Sequence, residues 1–371
     1  MTKPLNITCF LQDLDAGGAQ RTMLNLANSL VSSNMQTQVI AVRTNGGAIE
    51  WHDAKVPLID LKAKRTLTAL PKLILQLGLT SPPPDILFST MVDANIAAWI
   101  ASRTMRPKPK LVLRETNSHR ARGDVYGLRR KLVARAYRSA DLVVALSEGV
   151  RQELVADYSI SPERAVTIHN PVRLSSNDQV LGRPEGMPPG RIVLGVGRLV
   201  QQKNFALLVR ALVELPGDVS AVILGEGPER AHLVELAKTL GIENRLHLPG
   251  HVKDTRAWLC HADIFALTSR WEGFGHVIVE AMDACVPVIS TDCPHGPRDI
   301  ISDQVNGYLT PNGDVTALAI GLNKLFLDKE YAARLACAGK LRAQDFEADR
   351  IAGCYLNVFH RLISSDRNES Q

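Results

Sequence analysis

The chain has 371 residues, of which 45% are hydrophobic and 22% charged, with 26 glycines and 20 prolines. Those values exclude a disordered, collagenous or coiled-coil chain, and at about 100–200 residues per domain the length favours two domains. Lys plus Arg is 43 and Asp plus Glu is 38, a formal charge of +5 that suits an ordinary enzyme but can also hide a concentrated basic patch.

Asn6 to Leu11 is an apolar run that reads as a first strand rather than a secretion signal. It leads to Asp13, Asp15, Gly17 and Gly18. A helix follows, with Met23, Leu24, Ala27, Leu30 and Val31 on one face. Extended runs recur at 38–42, 85–88, 111–113 and 142–146, with helical patterns between them, as at 94–102 and 128–140. Strand alternating with helix implies a parallel sheet covered on both faces. The stretch 171–190 is rich in Pro, Gly and Ser and reads as a linker. A second series starts at 192–196 and continues at 221–224, 246–248, 264–267 and 286–290. Residues 330–364 are helical with no strand after them.

The expected fold is therefore α/β, with two doubly wound Rossmann-like domains facing across a cleft and ligands at the carboxyl ends of strands. The expected divisions are 1–170, the linker 171–190, 191–350, and a terminal helix 351–371 able to pack back on the first domain. Cys9, Cys260, Cys285, Cys293, Cys337 and Cys354 form no Cys-x-x-Cys pair and no zinc spacing. They read as free thiols of a reducing compartment. No window approaches the ~20 apolar residues that span a bilayer. A cytoplasmic chain is expected, able to touch a membrane surface.

Four strand-end segments carry candidate chemistry. Gly195, Gly197, Arg198 and Lys203 precede a helix over 205–215. The glycines admit close backbone approach, and a guanidinium with an ammonium suits a diphosphate. The same fragment also reads as a tight turn with two solvated cations. It is neither a Walker loop nor a Gly-x-Gly-x-x-Gly fingerprint. Gly225, Glu226, Gly227 and Pro228 signal only a strand–helix connection. In the densest segment, Glu272 and Glu280 stand eight residues apart around Gly273, Phe274, Gly275 and His276. Paired carboxylates accept sugar hydroxyls, and a helix N-terminus favours anionic or hydroxyl-rich ligands. Two exposed glutamates are the plainer alternative. The fourth segment, Ser290 to Asp299, opens a helix and can present amides or Arg298 to an anion, or serve only as a rigid capped loop.

Together these segments resemble the GT-B glycosyltransferases, specifically the retaining family four. The resemblance runs from Gly17, Gly18 and Ala19, through Gly197, Arg198, Leu199 and Lys203, to Glu272 and Glu280 in the family's Glu-x7-Glu signature. The segment from Thr291 to Arg298 resembles members that build lipid-linked or surface oligosaccharides. The resemblance implies that Arg198 and Lys203 hold the nucleotide diphosphate and that Glu272 contacts the donor sugar. Gly273, Phe274 and Gly275 place sugar and phosphate, and Glu280 binds the ribose. Gly17 and Gly18 let a loop close over the donor, and the backbone at Gly250, His251 and Val252 meets the base. It further implies retention of configuration, no metal or other cofactor, and a nucleotide-sugar co-substrate, by family habit UDP-linked. Preorganised cations and amides stabilise the departing diphosphate. The same resemblance implies that the leaving phosphate oxygen takes the acceptor's proton, so that no separate protein base is expected.

One departure concerns a family histidine near the donor sugar. Thr116 takes its place by alignment, and His119, three residues on, substitutes only if the loop bends. Glu115 and Asn117 are further sugar or acceptor contacts. Asp13 and Asp15 spell the metal-binding Asp-x-Asp of the other large glycosyltransferase fold, but beside Gly17 and Gly18 no metal role is expected.

Residues 103–138 hold twelve cations against Glu115 and Asp124, a net of +10, so the rest of the chain carries −5. Leu128, Leu132, Val133, Ala136 and Tyr137 add an apolar stripe, whose plain use is packing on the first domain. A basic amphipathic helix reads as a membrane-surface element. Arg120, Arg122, Arg129, Arg130 and Lys131 are its expected acceptor or membrane contacts, placing the enzyme at the inner face of the cytoplasmic membrane with a glycan or polyprenyl-diphosphate acceptor. Alternatives are a sugar-nucleotide epimerase or a phosphorylase of the same fold, or a nucleic-acid binder. The last lacks stacking aromatics, so no nucleic-acid partner is expected.

Overall fold

The computed structural model describes residues 4–14, 18–44, 49, 52–175 and 181–369. The chain divides into two compact units, Met1–Pro171 with Glu347–Gln371, and Val172–Phe346.

The first unit runs β1 (Asn6–Leu11), α1 (Gly18–Ser32), β2 (Gln36–Ala41), β3 (Leu58–Asp60), α2 (Thr66–Leu79), β4 (Ile86–Thr90) and α3 (Val92–Ser102). It continues with β5 (Lys110–Glu115), α4 (His119–Arg122), α5 (Gly127–Ser139), β6 (Leu142–Ala145), α6 (Glu148–Tyr158) and β7 (Ala165–Thr167). Its strands pair in parallel in the order β3-β2-β1-β4-β5-β6-β7. The central strands are buried along nearly their whole length, because helices cover both faces. One face packs on α2, α3, α5 and α6 through residues such as Leu73, Ala97, Val133 and Leu154. The other packs on α1 and on the terminal helix.

The second unit runs β8 (Arg191–Val196), α7 (Phe205–Ala211), β9 (Val219–Leu224), α8 (Arg230–Thr239), β10 (Leu246–Gly250), α9 (Arg256–Cys260) and β11 (Ile264–Leu267). Then come α10 (His276–Asp283), β12 (Val288–Asp292), α11 (Pro297–Ile300), β13 (Tyr308–Pro311), α12 (Val315–Leu327) and α13 (Lys329–Ala343). Its strand order is β10-β9-β8-β11-β12-β13, again parallel.

The 330–364 segment read as helical is two helices. A short 3-10 turn at Gln344–Phe346 separates α13 from α14 (Ala348–Glu369). Ile351, Ala352, Tyr355 and Phe359 of α14 fall at helical spacing and are buried in the first unit. Tyr355 and Phe359 meet Phe88 with ring centroids 5.4 and 5.7 Å away. Burial of each such ring contributes on the order of 1.5–3 kcal/mol. The helix read over 205–215 ends at Ala211 and continues as a 3-10 turn over Leu212–Glu214. Residues 176–180 of the expected linker lie outside the described residues. Among the described residues no helix is long and apolar enough to cross a membrane.

Candidate functional site

In the second sheet, β8 and β11 are neighbours although two strands separate them in sequence. Strand order reverses there, and the loops after these strands flank the point where open α/β sheets bind ligands. The β8 loop carries Gly197, Arg198 and Lys203, and the β11 loop carries Ser269 and Glu272. Lys203 Nζ lies 2.6 Å from Glu272 Oε1, and the Ser269 hydroxyl donates to the same oxygen at 2.6 Å. Glu272 is buried, whereas about one-fifth of the Lys203 side chain stays exposed. Gln202 Nε2 donates to the Trp271 carbonyl, the Arg270 amide to the Gln202 carbonyl, and the Thr268 hydroxyl to the Lys203 carbonyl. These bonds lock the two loops together. Ser269 and Gln202 were not distinguished in the sequence, since bonds between loops leave no local pattern.

The second glycine segment backs the first. Gly225 has φ +138°, and a Cβ there would stand 2.0 Å from the Gly197 carbonyl oxygen. Only glycine lets the two loops meet so closely. The Lys203 stem crosses Gly197 in turn, where a Cβ would crowd it at 3.2 Å. The fourth segment braces the third. The Glu272 amide donates to the Pro294 carbonyl, and the Thr291 hydroxyl donates to the Ser269 carbonyl at 2.7 Å. Arg298 is spent on an ion pair with Asp292. Cys293 is buried here, and burial, with Glu272 nearby, pushes its thiol up to about 12.

Gly273 and Phe274 are buried, and Gly275 caps the start of α10. Phe274 packs edge-on against His276 and Phe346. Glu280 is half-buried one turn along, on the same helix face as His276. Gly250 is buried and its carbonyl accepts from the Gly225 amide at 2.7 Å, while His251 is exposed and Val252 half-buried. The Arg198 guanidinium is exposed and makes no ion pair with any described residue. One unit thus gathers an exposed guanidinium, an ammonium, a helix start and two carboxylates. Such a set can hold a phosphate-bearing, hydroxyl-rich ligand.

In the first unit, Gly17 and Asp15 lie outside the described residues, and Gly18 opens α1. Asp13 is buried and accepts from Gln20 Nε2 at 2.7 Å. His119 takes a structural position that the sequence did not suggest. Its Nδ1 lies 2.6 Å from the Tyr158 hydroxyl and its Nε2 2.9 Å from Glu115 Oε2. The loop does bend, but inward, so neither ring nitrogen is open to a sugar. Thr116 is buried beside it, its amide donating to Glu115 Oε1. The Tyr137 hydroxyl donates to Glu115 at 2.5 Å, and Ser118 to Glu153. Burial works against the Glu115 charge, but His119, Tyr137 and the Thr116 amide outweigh it and hold its pKa below the ordinary value. Burial lowers the His119 pKa, and Glu115 outweighs that and raises it.

The basic segment is less open than its count suggests. Arg114 is fully buried, donating to Thr90 and Asn170. Arg120 pairs with Asp157, Arg122 with Asp124, and Arg129 with Asp93 and Asp124. Of the five expected contacts, Arg130 and Lys131 remain exposed and make no ion pair with any described residue, although the Arg130 guanidinium lies over the Tyr158 ring, 5.6 Å from its centroid. Arg135 and Arg138 join them on one face of α5, lining a groove of about 520 Å³. Val133, Ala136 and Tyr137 are buried, whereas Leu128, expected to pack, is 73% exposed.

Both sheets are parallel and doubly wound, the α/β class expected from the sequence. The model for group 1 glycosyl transferases matches residues 183–342, and that for glycosyltransferase family 4 matches residues 16–176. The N-acetylgalactosamine-N,N'-diacetylbacillosaminyl-diphospho-undecaprenol 4-alpha-N-acetylgalactosaminyltransferase of Campylobacter jejuni is 30% identical over 302 residues, covering 80% of this chain and 79% of the relative. A second C. jejuni enzyme is an alpha-1,4-N-acetyl-D-galactosaminyltransferase named for a diNAcBac-PP-undecaprenol-linked glycan. It is 25% identical and covers 98% of this chain and 99% of its own. The structure of HepE from Anabaena in complex with UDP superposes with a TM-score of 0.83 at 21% identity, covering 96% of this chain and all of that one. The chain belongs to glycosyltransferase family 4.

Proposed function

We propose that this glycosyltransferase moves a hexose or N-acetylhexosamine from a UDP-sugar to a glycan carried on a lipid diphosphate, with retention of configuration and without a metal ion. The observation that carries this reading is the Lys203–Glu272 pair at the strand-order reversal of the second sheet. Lys203 and the exposed Arg198 supply cations for the diphosphate, adding to the start of α10. Their charge takes the part a divalent cation otherwise plays at a leaving diphosphate. Glu272 accepts hydroxyls of the donor sugar, Glu280 those of the ribose, and the backbone of residues 250–252 meets the base. Both C. jejuni relatives are named for undecaprenol-linked acceptors, and HepE was crystallised with UDP.

On the first unit, the exposed cations of α5 suit the acceptor's diphosphate and an anionic leaflet, each cation contributing on the order of 1 kcal/mol near such a surface. The enzyme then works as a peripheral protein on the cytoplasmic face of the membrane.

The test is a donor screen read by product mass, with and without a polyprenyl-diphosphate glycan, in the presence of a chelator. A product formed only with acceptor, insensitive to chelation and with the donor's anomeric configuration by NMR, is expected. Turnover of the nucleotide sugar without acceptor would point to an epimerase instead.

A further inference from the structure

We infer that α2 is a second membrane-contacting element, which inserts its exposed leucines into an anionic lipid surface. The helix is apolar on two opposite sides. Ala69, Leu73 and Leu77 are buried in the first unit's core. On the outer side, Leu67, Leu75 and Leu79 are 70%, 63% and 67% exposed, at spacings of eight and four residues that keep them within one stripe. A helix apolar all round is normally enclosed, and singly scattered surface leucines are common, but an aligned stripe of three needs a partner.

The chemistry around the stripe says which partner. Between Asp60 and Asp85 there is no acidic residue, while Lys62, Lys64, Arg65 and Lys72 are present and exposed. Lys64 and Arg65, one turn before Leu67, make no ion pair with any described residue. Lys72 instead donates to the carbonyls of Leu61 and Lys62. Leucines flanked by unpaired cations match an acyl boundary under anionic headgroups. Beside the C-terminal end of α2, Ile74, Leu77, Gly78, Pro83 and Met105 line a cavity of about 440 Å³, with Arg106 among its lining residues.

The location agrees. α2 and α5 both pack on α3 within the same layer over the first sheet, and α3 between them is largely buried. The leucines of α2 and the cations of α5 therefore face outward from one layer. Tyr126 and Leu128, at the start of α5, are 75% and 73% exposed and add apolar surface to it. This inference rests on the proposed membrane-side acceptor and supplies the apolar half of that contact.

The test compares wild type, the triple variant Leu67→Ser/Leu75→Ser/Leu79→Ser and the single variant Leu75→Trp, each checked for an unchanged melting temperature. All are mixed with phosphatidylglycerol or phosphatidylcholine vesicles. The triple variant should bind anionic vesicles at least about tenfold more weakly, given the burial each leucine loses. Leu75→Trp should show emission quenched by acyl-brominated phosphatidylglycerol in excess of wild type. If wild type floats with anionic vesicles while the triple variant floats equally and Leu75→Trp is not quenched, α2 is not the element and the membrane reading stands. If wild type does not float at all, both fall. If the stripe mediates a dimer that the triple variant loses, with no quenching, its partner is a second copy and the proposal is overturned.

Discussion

Lys203 Nζ stands 2.6 Å from Glu272 Oε1 across 69 residues of sequence, with the Ser269 hydroxyl on the same oxygen. The ammonium keeps its remaining donors, and the buried carboxylate keeps its second oxygen. One contact thus orients a cation for phosphate and an acceptor for hydroxyls.

Because the two groups share that bond, their losses should not multiply. Lys203→Met and Glu272→Gln are each expected to lower kcat/KM by about a hundredfold or more. The double variant should fall by much less than the product of the two. Initial rates with the donor found in the screen provide the check. Near-wild-type transfer by Glu272→Gln would remove the site assignment.

Gly225 holds the β9 loop against the β8 loop. Gly225→Val should lower the melting temperature, with overpacking costing on the order of 1–3 kcal/mol in addition to the strained φ, and should weaken UDP binding. Gly217→Ala, where a Cβ meets nothing within 4 Å, should change neither. Thermal melts and calorimetric titration with UDP separate the two.

The Glu115–His119 pair makes stability depend on pH. His119 has a raised folded pKa, so its contribution is fully present below the unfolded value of about 6.5 and is lost as pH rises through the folded value. Glu115 has a lowered one, so its contribution is present above about 4.3 and is lost as pH falls. His119→Gln should therefore cost most stability near about pH 5–6 and progressively less in alkali. Urea melts across that range decide it, and a pH-independent loss would mean that His119 acts by packing alone.

Neighbouring cations of the basic segment should behave oppositely. Lys131→Glu/Arg135→Glu is expected to leave the melting temperature nearly unchanged and to weaken flotation on anionic vesicles strongly. Arg114→Ala removes a buried side chain that donates to Thr90 and Asn170, and should cost about 2–4 kcal/mol. Comparable vesicle binding by the charge-reversed variant would sink the membrane role of α5.

The central strands were legible because a strand buried on both faces is a short apolar run, and the order of runs and helices already implied two parallel sheets. The edge strands β3, β7 and β13 were not anticipated, being only three or four residues long and weakly patterned. The exposed leucines of α2 escaped notice for a related reason. Their apolar character equals that of the buried face, so composition does not tell which side meets the core.

Sequence alone determined the chemistry available at each strand end: glycines where backbones must meet, Arg198 and Lys203 beside them, and Glu272 with Glu280 at a helix start. Tertiary structure decided which of these groups touch. It joined Lys203 to Glu272, turned His119 inward onto Glu115 and Tyr158, and buried Arg114. It also divided a run of twelve cations into paired, enclosed and exposed ones, and so qualified the meaning of the +5 total. Ion pairs and burial depend on distances between residues far apart in the chain, and those distances exist only once the sheets have formed.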